Sequence, residues 1–239
     1  DLVTDMTWRS EVPDLDDWFA RFVHRRYGRK NAKALEAWRL LQETVYRQTR
    51  YTGTIVCARP GLPTVRNAGN RPPSFDCRKL ADAWTALLEC STELGSLDTY
   101  GYDVVHLARE NLVALADTLA MDMFDAYQAK DREAFAKSSR EYLELIEDVD
   151  ELLATRREFL LGPWIEDARR WGSDDPERLL YETNARTLIT LWGPPDSGLH
   201  EYAHRQWSGM MRGFYLPRWK QFVDRLEESL QSGRPVDSD

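Results

Sequence analysis

One run of this sequence reads as chemistry without further help: His200-Glu201-Tyr202-Ala203-His204, the order of an HExxH zinc signature. On a helix the two histidines fall one turn apart on one face, which suits tetrahedral zinc with Glu201 as general base. Such a site needs a third ligand, and Asp224, Glu227 or Glu228 could supply it. The plainer reading is a pair of histidines on a helix surface or a rim. Glycoside hydrolysis and other acid–base chemistry require two carboxylates in one cleft. Asp148 with Glu151, Glu166 with Asp167, Asp174 with Asp175 and Glu227 with Glu228 are the pairs on offer. Each falls on a polar helix face or end, where solvated surface is the simpler account. Cys57, Cys77 and Cys90 form no CxxC pair, and Cys77 and Cys90 lie too far apart along one helix to bridge. All three are read as free thiols, and Cys57 has no neighbouring histidine to activate it.

Two aromatics and an arginine frame the other candidate. Trp192 and Tyr202 bracket a Gly-Pro-Pro-Asp-Ser-Gly loop. Aromatic faces suit the apolar faces of sugar rings, and Tyr202 adds a hydroxyl. Arg186 sits in an otherwise apolar run with Leu179, Leu180, Leu188, Ile189 and Leu191, where a charge is costly unless paired. It is read as an arginine that holds this helix in place through a carboxylate or carbonyl, with ligand contact as the alternative.

The elements that position these residues are helical almost throughout. After an irregular lead-in over residues 1–13, Asp14 starts a helix whose Leu15, Trp18, Phe19, Phe22 and Val23 form one apolar stripe, stopped at Gly28. Asn31 caps the next, with Ala34, Trp38, Leu41 and Val45 inward. Residues 51–75 form one long irregular loop, with a short strand at Thr54–Cys57 as an option; a break of this length is functional, pinned by a partner, or a surface excursion. Asp76 caps a third helix (Leu80, Trp84, Leu87, Leu88), and Leu97 to Asp103 reads as a turn. A long helix follows to about Ala129, its inner face assigned to Val104, Leu107, Leu112, Leu115, Leu119, Met123 and Phe124. Asp131 opens another, ending near Thr155. A short element covers Leu160–Trp171. Asp174 or Asp175, with Pro176 in the first turn, starts the helix that delivers Trp192. Gly193-Pro194-Pro195 ends it. The next helix is expected from near Leu199 to about Tyr215, carrying His200, Tyr202 and His204 on it. The last begins at Pro217 and holds Trp219, Phe222, Val223, Leu226 and Leu230 before a polar tail at 232–239. The expected fold is an all-α, multi-helix bundle-like domain.

Composition narrows the function classes. A net charge of −8 over 239 residues argues against a nucleic-acid binder, which needs a basic face. No apolar run approaches membrane-spanning length, so no membrane partner is expected. There is no Walker loop, no Gly-x-Gly-x-x-Gly and no Gly-x-Ser-x-Gly elbow, and no cofactor is expected. The start at Asp1 rather than Met is expected of a cut fragment or processed product, so missing targeting segments say little about the parent.

Asn184-Ala185-Arg186, then Leu191-Trp192-Gly193-Pro194, then Tyr202, Ala203, Gln206, Gly209, Tyr215 and Pro217-Arg218-Trp219 form a specific series. It resembles the C-terminal region of the α-N-acetylglucosaminidases, glycoside hydrolase family 89. Shorter matches run in order along the chain: Arg25–Gly28, Ala37–Leu41, Val45-Tyr46, Arg59-Pro60, Tyr102-Asp103, Phe159–Gly162 and Tyr181–Arg186. The resemblance implies that residues 1–239 are the single, all-helical C-terminal domain of a larger exo-acting, retaining glycosidase. In that family a (β/α)8 barrel carries two catalytic glutamates, so none of the catalytic residues would lie here. It implies two partners, the barrel of the same chain and a glycan ending in α-linked N-acetylglucosamine. The helical domain would close one wall of the sugar pocket with Trp192 and Tyr202, Leu199 and His200 being carried over as neighbours. Animal members act in lysosomes on heparan sulfate, and bacterial ones, secreted or periplasmic, on host or environmental glycans. Two departures stand out: the loop from Gly193 to Tyr202 is slightly longer here, and the family does not generally place histidines at 200 and 204. The alternatives kept beside this are a zinc hydrolase through residues 200–204 and a free-standing helical binding module.

Overall fold

The computed structural model describes residues 1–47, 53–63, 75–194, 196, 203–234 and 236. Among the described residues the only extended pairing is an isolated bridge between Leu160 and Ser208, and the fold is all-α. No helix among them is long and apolar enough to cross a membrane. The chain divides into two compact units, residues 1–49 with 75–108 and residues 50–74 with 109–239.

The first unit contains α1 (Leu2–Met6), α2 (Leu15–Tyr27), α3 (Ala32–Glu43), α4 (Cys77–Leu88), α5 (Ser91–Leu94) and the first turns of α6 (Asp98–Ala129). Its helix starts are set by the side chains that the sequence nominates. Asp14 accepts from the Asp17 N–H, Asn31 from Ala34 and Asp76 from Arg78, each at 2.9 Å. Gly28 ends α2 in the left-handed conformation, at φ 69°. Trp18, Phe19, Phe22 and Val23 are buried as expected, while Leu15 is exposed because it sits on the first turn, beyond the packed stripe. α3 packs on α2 and on α4 through the small faces of Ala34, Ala37 and Ala83.

Two expectations fail in this unit. The lead-in is not wholly irregular: Leu2–Met6 is helical, and the Trp18 indole N–H donates to Asp5 at 2.8 Å. The stretch from Leu97 to Asp103 is not a turn, because α6 begins at Asp98. Tertiary bonds outweigh the weak helix preference of its Tyr and Gly residues. Tyr100 donates from its hydroxyl to the Leu87 carbonyl at 2.8 Å. Asp103, buried, accepts two bonds from the Arg26 guanidinium and one from the Tyr27 hydroxyl at 2.8 Å, which in turn accepts from the Trp38 indole at 3.1 Å. Burial pushes the Tyr27 phenol far above its usual range, and the Asp103 charge adds to this.

The second unit holds the remainder of α6, α7 (Arg132–Ala154), α8 (Leu161–Arg169), α9 (Asp175–Ile189), a π-helical turn at Met211–Tyr215 and α10 (Leu216–Ser232). α10 packs along α7, and α8 pairs with α9. On α6 the buried stripe is Val113, Ala116, Ala120, Met123 and Phe124, with Leu115 exposed at 49%. Leu107, Met123 and Phe124 are buried as expected, but choosing leucines over alanines misplaces the middle of this face, since small residues let a neighbour approach closely. The expected strand at Thr54–Cys57 is a tight turn, Ala58 donating to the Ile55 carbonyl at 3.0 Å. Residues 51–52 and 64–74 of the expected loop lie outside the described residues; within it Ile55, Val56 and Cys57 are no surface excursion but are buried in this unit's core. Asp117 accepts from the Ile55 N–H at 2.8 Å, and the Trp219 indole donates to the Val56 carbonyl at 2.9 Å. The Tyr142 ring meets Trp219 edge-on with centroids 5.1 Å apart.

Candidate functional site

α9 is built to present its far end. Asp174 caps it, accepting from Glu177 at 2.9 Å, and proline occupies the first turn. The helix stops at Ile189. Thr190 leaves helical geometry, and the Trp192 N–H reaches back to the Thr187 carbonyl at 2.8 Å. That bond spans five residues and closes the helix end. Trp192 itself is left-handed, at φ 67°, a conformation that glycine usually supplies. Its side chain is 38% exposed. A bulky residue in this conformation stores strain of a kind that gathers at ligand-facing positions.

Arg186 lies six residues earlier and is about half exposed. Its guanidinium bonds Glu182 on the same helix, at 2.7 and 2.8 Å. Glu182 also receives Arg169 from α8 at 2.7 Å, so the carboxylate is what spans the two helices. The Arg186 bond, followed by the one from Arg169, holds the Glu182 carboxyl below its ordinary range. The leucines that made Arg186 look costly are not core. Leu179, Leu180, Leu188 and Leu191 are exposed, at 46 to 66%. Leu180 and Leu188 fall on one face of α9, either side of Asn184, and both are exposed, as is Leu191 beyond the helix end.

The chain returns through Ala203–Trp207, which is irregular where a helix was expected. His204 has φ 46°, so the one-turn spacing that HExxH requires is broken at its second histidine. Its ring is packed over Gly53, where an added Cβ would stand 2.5 Å from His204 Cε1. Among the described residues no three His, Cys, Asp or Glu side chains converge on a point that could hold a metal ion. Leu199, His200, Glu201 and Tyr202 lie outside the described residues. Of the residues nominated from sequence, the structure therefore places Trp192 and Arg186.

It also brings in residues that the sequence reading passed over. Trp164 of α8 donates its indole N–H to the Ala185 carbonyl of α9 at 3.1 Å, and its ring meets Trp207 with centroids 5.9 Å apart. Ser208 bridges the strand-like pair: its N–H donates to Phe159 at 2.8 Å and its carbonyl accepts from Leu161 at 3.1 Å. Asp150 of α7, buried, accepts from the Gly209 N–H at 2.7 Å and the Arg212 N–H at 3.0 Å, and from the Ser208 hydroxyl at 3.3 Å. Gly209 is at φ 87°, a conformation that turns its N–H to the carboxylate. A second buried carboxylate, Asp117, is pushed up to about 7 by burial, against the opposing bonds from Ile55 and Val56. Helical periodicity carried the signal for both. Asp150 follows Ile146 by four and precedes Leu153 by three, and Asp117 is related in the same way to Val113 and Ala120. Each is a charge on an apolar seam.

A family profile described as the Alpha-N-acetylglucosaminidase (NAGLU) C-terminal domain matches residues 18–239. The chain belongs to this family. Human α-N-acetylglucosaminidase is 32% identical over 239 residues, a match covering 98% of this chain and 32% of the human protein. The family 89 glycoside hydrolase of Clostridium perfringens, solved with PUGNAc, superposes with a TM-score of 0.88 at 31% identity, over 98% of this chain and 28% of that one. The same enzyme with two glutamates replaced by glutamine, in complex with its substrate GlcNAc-α-1,4-galactose, gives 0.89 at 32% identity. This member of the α-N-acetylglucosaminidase C-terminal domain family thus spans less than a third of the length of these relatives. The parent family is one of glycoside hydrolases acting on α-linked N-acetylglucosamine.

Proposed function

We propose that this chain is the helical C-terminal module of an exo-acting, retaining α-N-acetylglucosaminidase, inactive alone, which packs on a (β/α)8 barrel of the same parent and forms one wall of its sugar pocket. Trp192 carries this reading. A non-glycine residue is held left-handed at the end of a helix, and its indole is left more than a third open. Evolution tolerates such strain where the side chain has work outside its own fold. The exposed leucines of this segment, Leu180 and Leu188 on α9 and Leu191 just past it, support the packing role, since exposed apolar side chains gathered in one segment suit a protein partner.

In this scheme the two carboxylates that protonate the leaving oxygen and attack the anomeric carbon belong to the barrel. The module's share is binding and exclusion. An indole face lies against the C–H face of the terminal sugar, removes water there and lets a single residue of the glycan enter. Tyr202, with Leu199 and His200 as neighbours, is assigned to the same sugar wall by the family resemblance.

The test is kinetic. In the full-length parent, Trp192→Ala should raise KM for an aryl α-N-acetylglucosaminide about tenfold, the loss of about 1.4 kcal/mol of binding, with kcat little changed. An unchanged KM would overturn the pocket role. The isolated chain should release no aglycone from that substrate, and turnover by it would place the catalytic groups within these residues.

A further inference from the structure

We propose that Asp150 is a positioning residue for the Trp192 rim, an inference that rests on the reading of Trp192 as a pocket wall. The carboxylate lies where three pieces of the second unit meet. Its Oδ1 accepts from the N–H groups of Gly209 and Arg212, and its Oδ2 from the Ser208 hydroxyl. Those bonds fix where the returning chain enters the π-helical turn. They also fix Ser208, whose backbone is bonded to Phe159 and Leu161 on either side of Leu160. Leu161 opens α8, so the carboxylate sets the start of α8 and the approach of Trp207 together.

From there the path is short. Trp207 packs on Trp164, and Trp164 grips the Ala185 carbonyl one turn before α9 ends. The last turn of α9 then places Trp192 through the bond back to Thr187. Nothing in this chain of contacts touches a sugar. Its effect is to hold the end of α9 at one height, which an indole wall needs if it is to meet a ring face at van der Waals distance. Small displacements in positioning groups cost binding even when the chemistry is untouched.

A mere cap for the π-helical turn would affect stability alone, so the test separates the two. The full-length parent is assayed with an aryl α-N-acetylglucosaminide, alongside thermal unfolding. Asp150→Ala removes the acceptor of both backbone N–H groups and should raise KM about tenfold while kcat stays within about twofold. Asp150→Asn keeps an oxygen for Gly209 and Arg212 and should restore KM to within about twofold of the parent. On a Trp192→Ala background Asp150→Ala should add less than about twofold, because both act through the same indole. The proposal is overturned if Asp150→Ala leaves KM unchanged while Trp192→Ala raises it, or if the two effects multiply. If Trp192→Ala itself has no effect, the wall reading falls and this one falls with it. Should Asp150→Ala not fold, Trp164→Phe keeps a ring against Trp207 but removes the donor to Ala185. It should raise KM about threefold, and no rise would overturn the relay.

Discussion

Trp192 supplies a prediction that can be checked on the isolated chain, without substrate. The residue is held at φ 67°, and its indole is somewhat more than half buried. Truncation to alanine therefore removes on the order of 100 Å² of packed apolar surface, a loss of about 2–3 kcal/mol. It leaves the strained backbone in place, because an alanine Cβ is disfavoured there as well, by about 1–2 kcal/mol. Trp192→Gly loses the same indole and one carbon more, yet relieves that strain, and the extra entropy of an unfolded glycine returns only part of the gain. The glycine variant should thus be the more stable of the two by about 1 kcal/mol, a difference of about 2–4 °C in Tm for a chain of this size. Urea unfolding of the pair, compared at equal m-value, measures it directly. An alanine variant as stable as the glycine variant would show that the left-handed geometry carries no strain. Strain could then no longer mark Trp192 as a working side chain. In the full-length parent the two variants should be equally impaired in KM, since stability differs between them and the missing indole does not.

Three further outcomes follow from buried contacts. The Asp117 carboxyl is raised to about 7 from an ordinary value near 3.8, so the folded state holds its proton more tightly than the unfolded chain. Stability from this group is gained as pH falls from about 7 towards 4 and is lost above 7, a difference of a few kcal/mol; Asp117→Asn should abolish that slope, and a parallel pH profile in the variant would refute the assignment. Asp103→Ala leaves the part-buried Arg26 and the Tyr27 hydroxyl without their shared acceptor and should cost about 3–5 kcal/mol in chemical unfolding, whereas a change within 1 kcal/mol would show the pair to be replaceable by water. Gly53→Ala would drive a methyl to within 2.5 Å of the His204 ring and should destabilise by about 1–3 kcal/mol, unless the imidazole swings away freely, in which case Tm stays at the parent value.

Helix starts were legible in the sequence because each is a local event. Asp14, Asn31, Asp76, Asp131 and Asp174 all cap within three residues of themselves. The membership of the family was legible too, because the block from Asn184 to Trp219 carries several matched positions in order. What escaped was whatever depends on partners far along the chain. The start of α6 is drawn back to Asp98 by Tyr100 and Asp103, whose partners lie on α4 and α2. Trp192 stood out by its place before a Gly-Pro-Pro loop, but its left-handed backbone, and the bond from its N–H back to Thr187, are announced by no residue preference. Polar residues were assigned to solvent by type, so Asp150 and Asp117 were passed over although their register placed them on buried seams.

The buried turn at Ile55–Ala58 carries a consequence for how the protein is made. Its two anchoring partners, Asp117 and Trp219, follow Ile55 and Val56 by 62 and 163 residues. A ribosome adding about 5–20 residues per second delivers Trp219 roughly ten to thirty seconds after Val56 has been joined. Until then the core around these three apolar side chains is incomplete, and the loop that must finally close is one of the longest in the chain. The second unit is also discontinuous in sequence: a break anywhere between residues 75 and 108 parts α10 from the turn that fills its core. Folding of this unit is therefore a late event that waits on the last helix, and damage to α10 should trap nascent chains with Ile55 and Val56 open to chaperones.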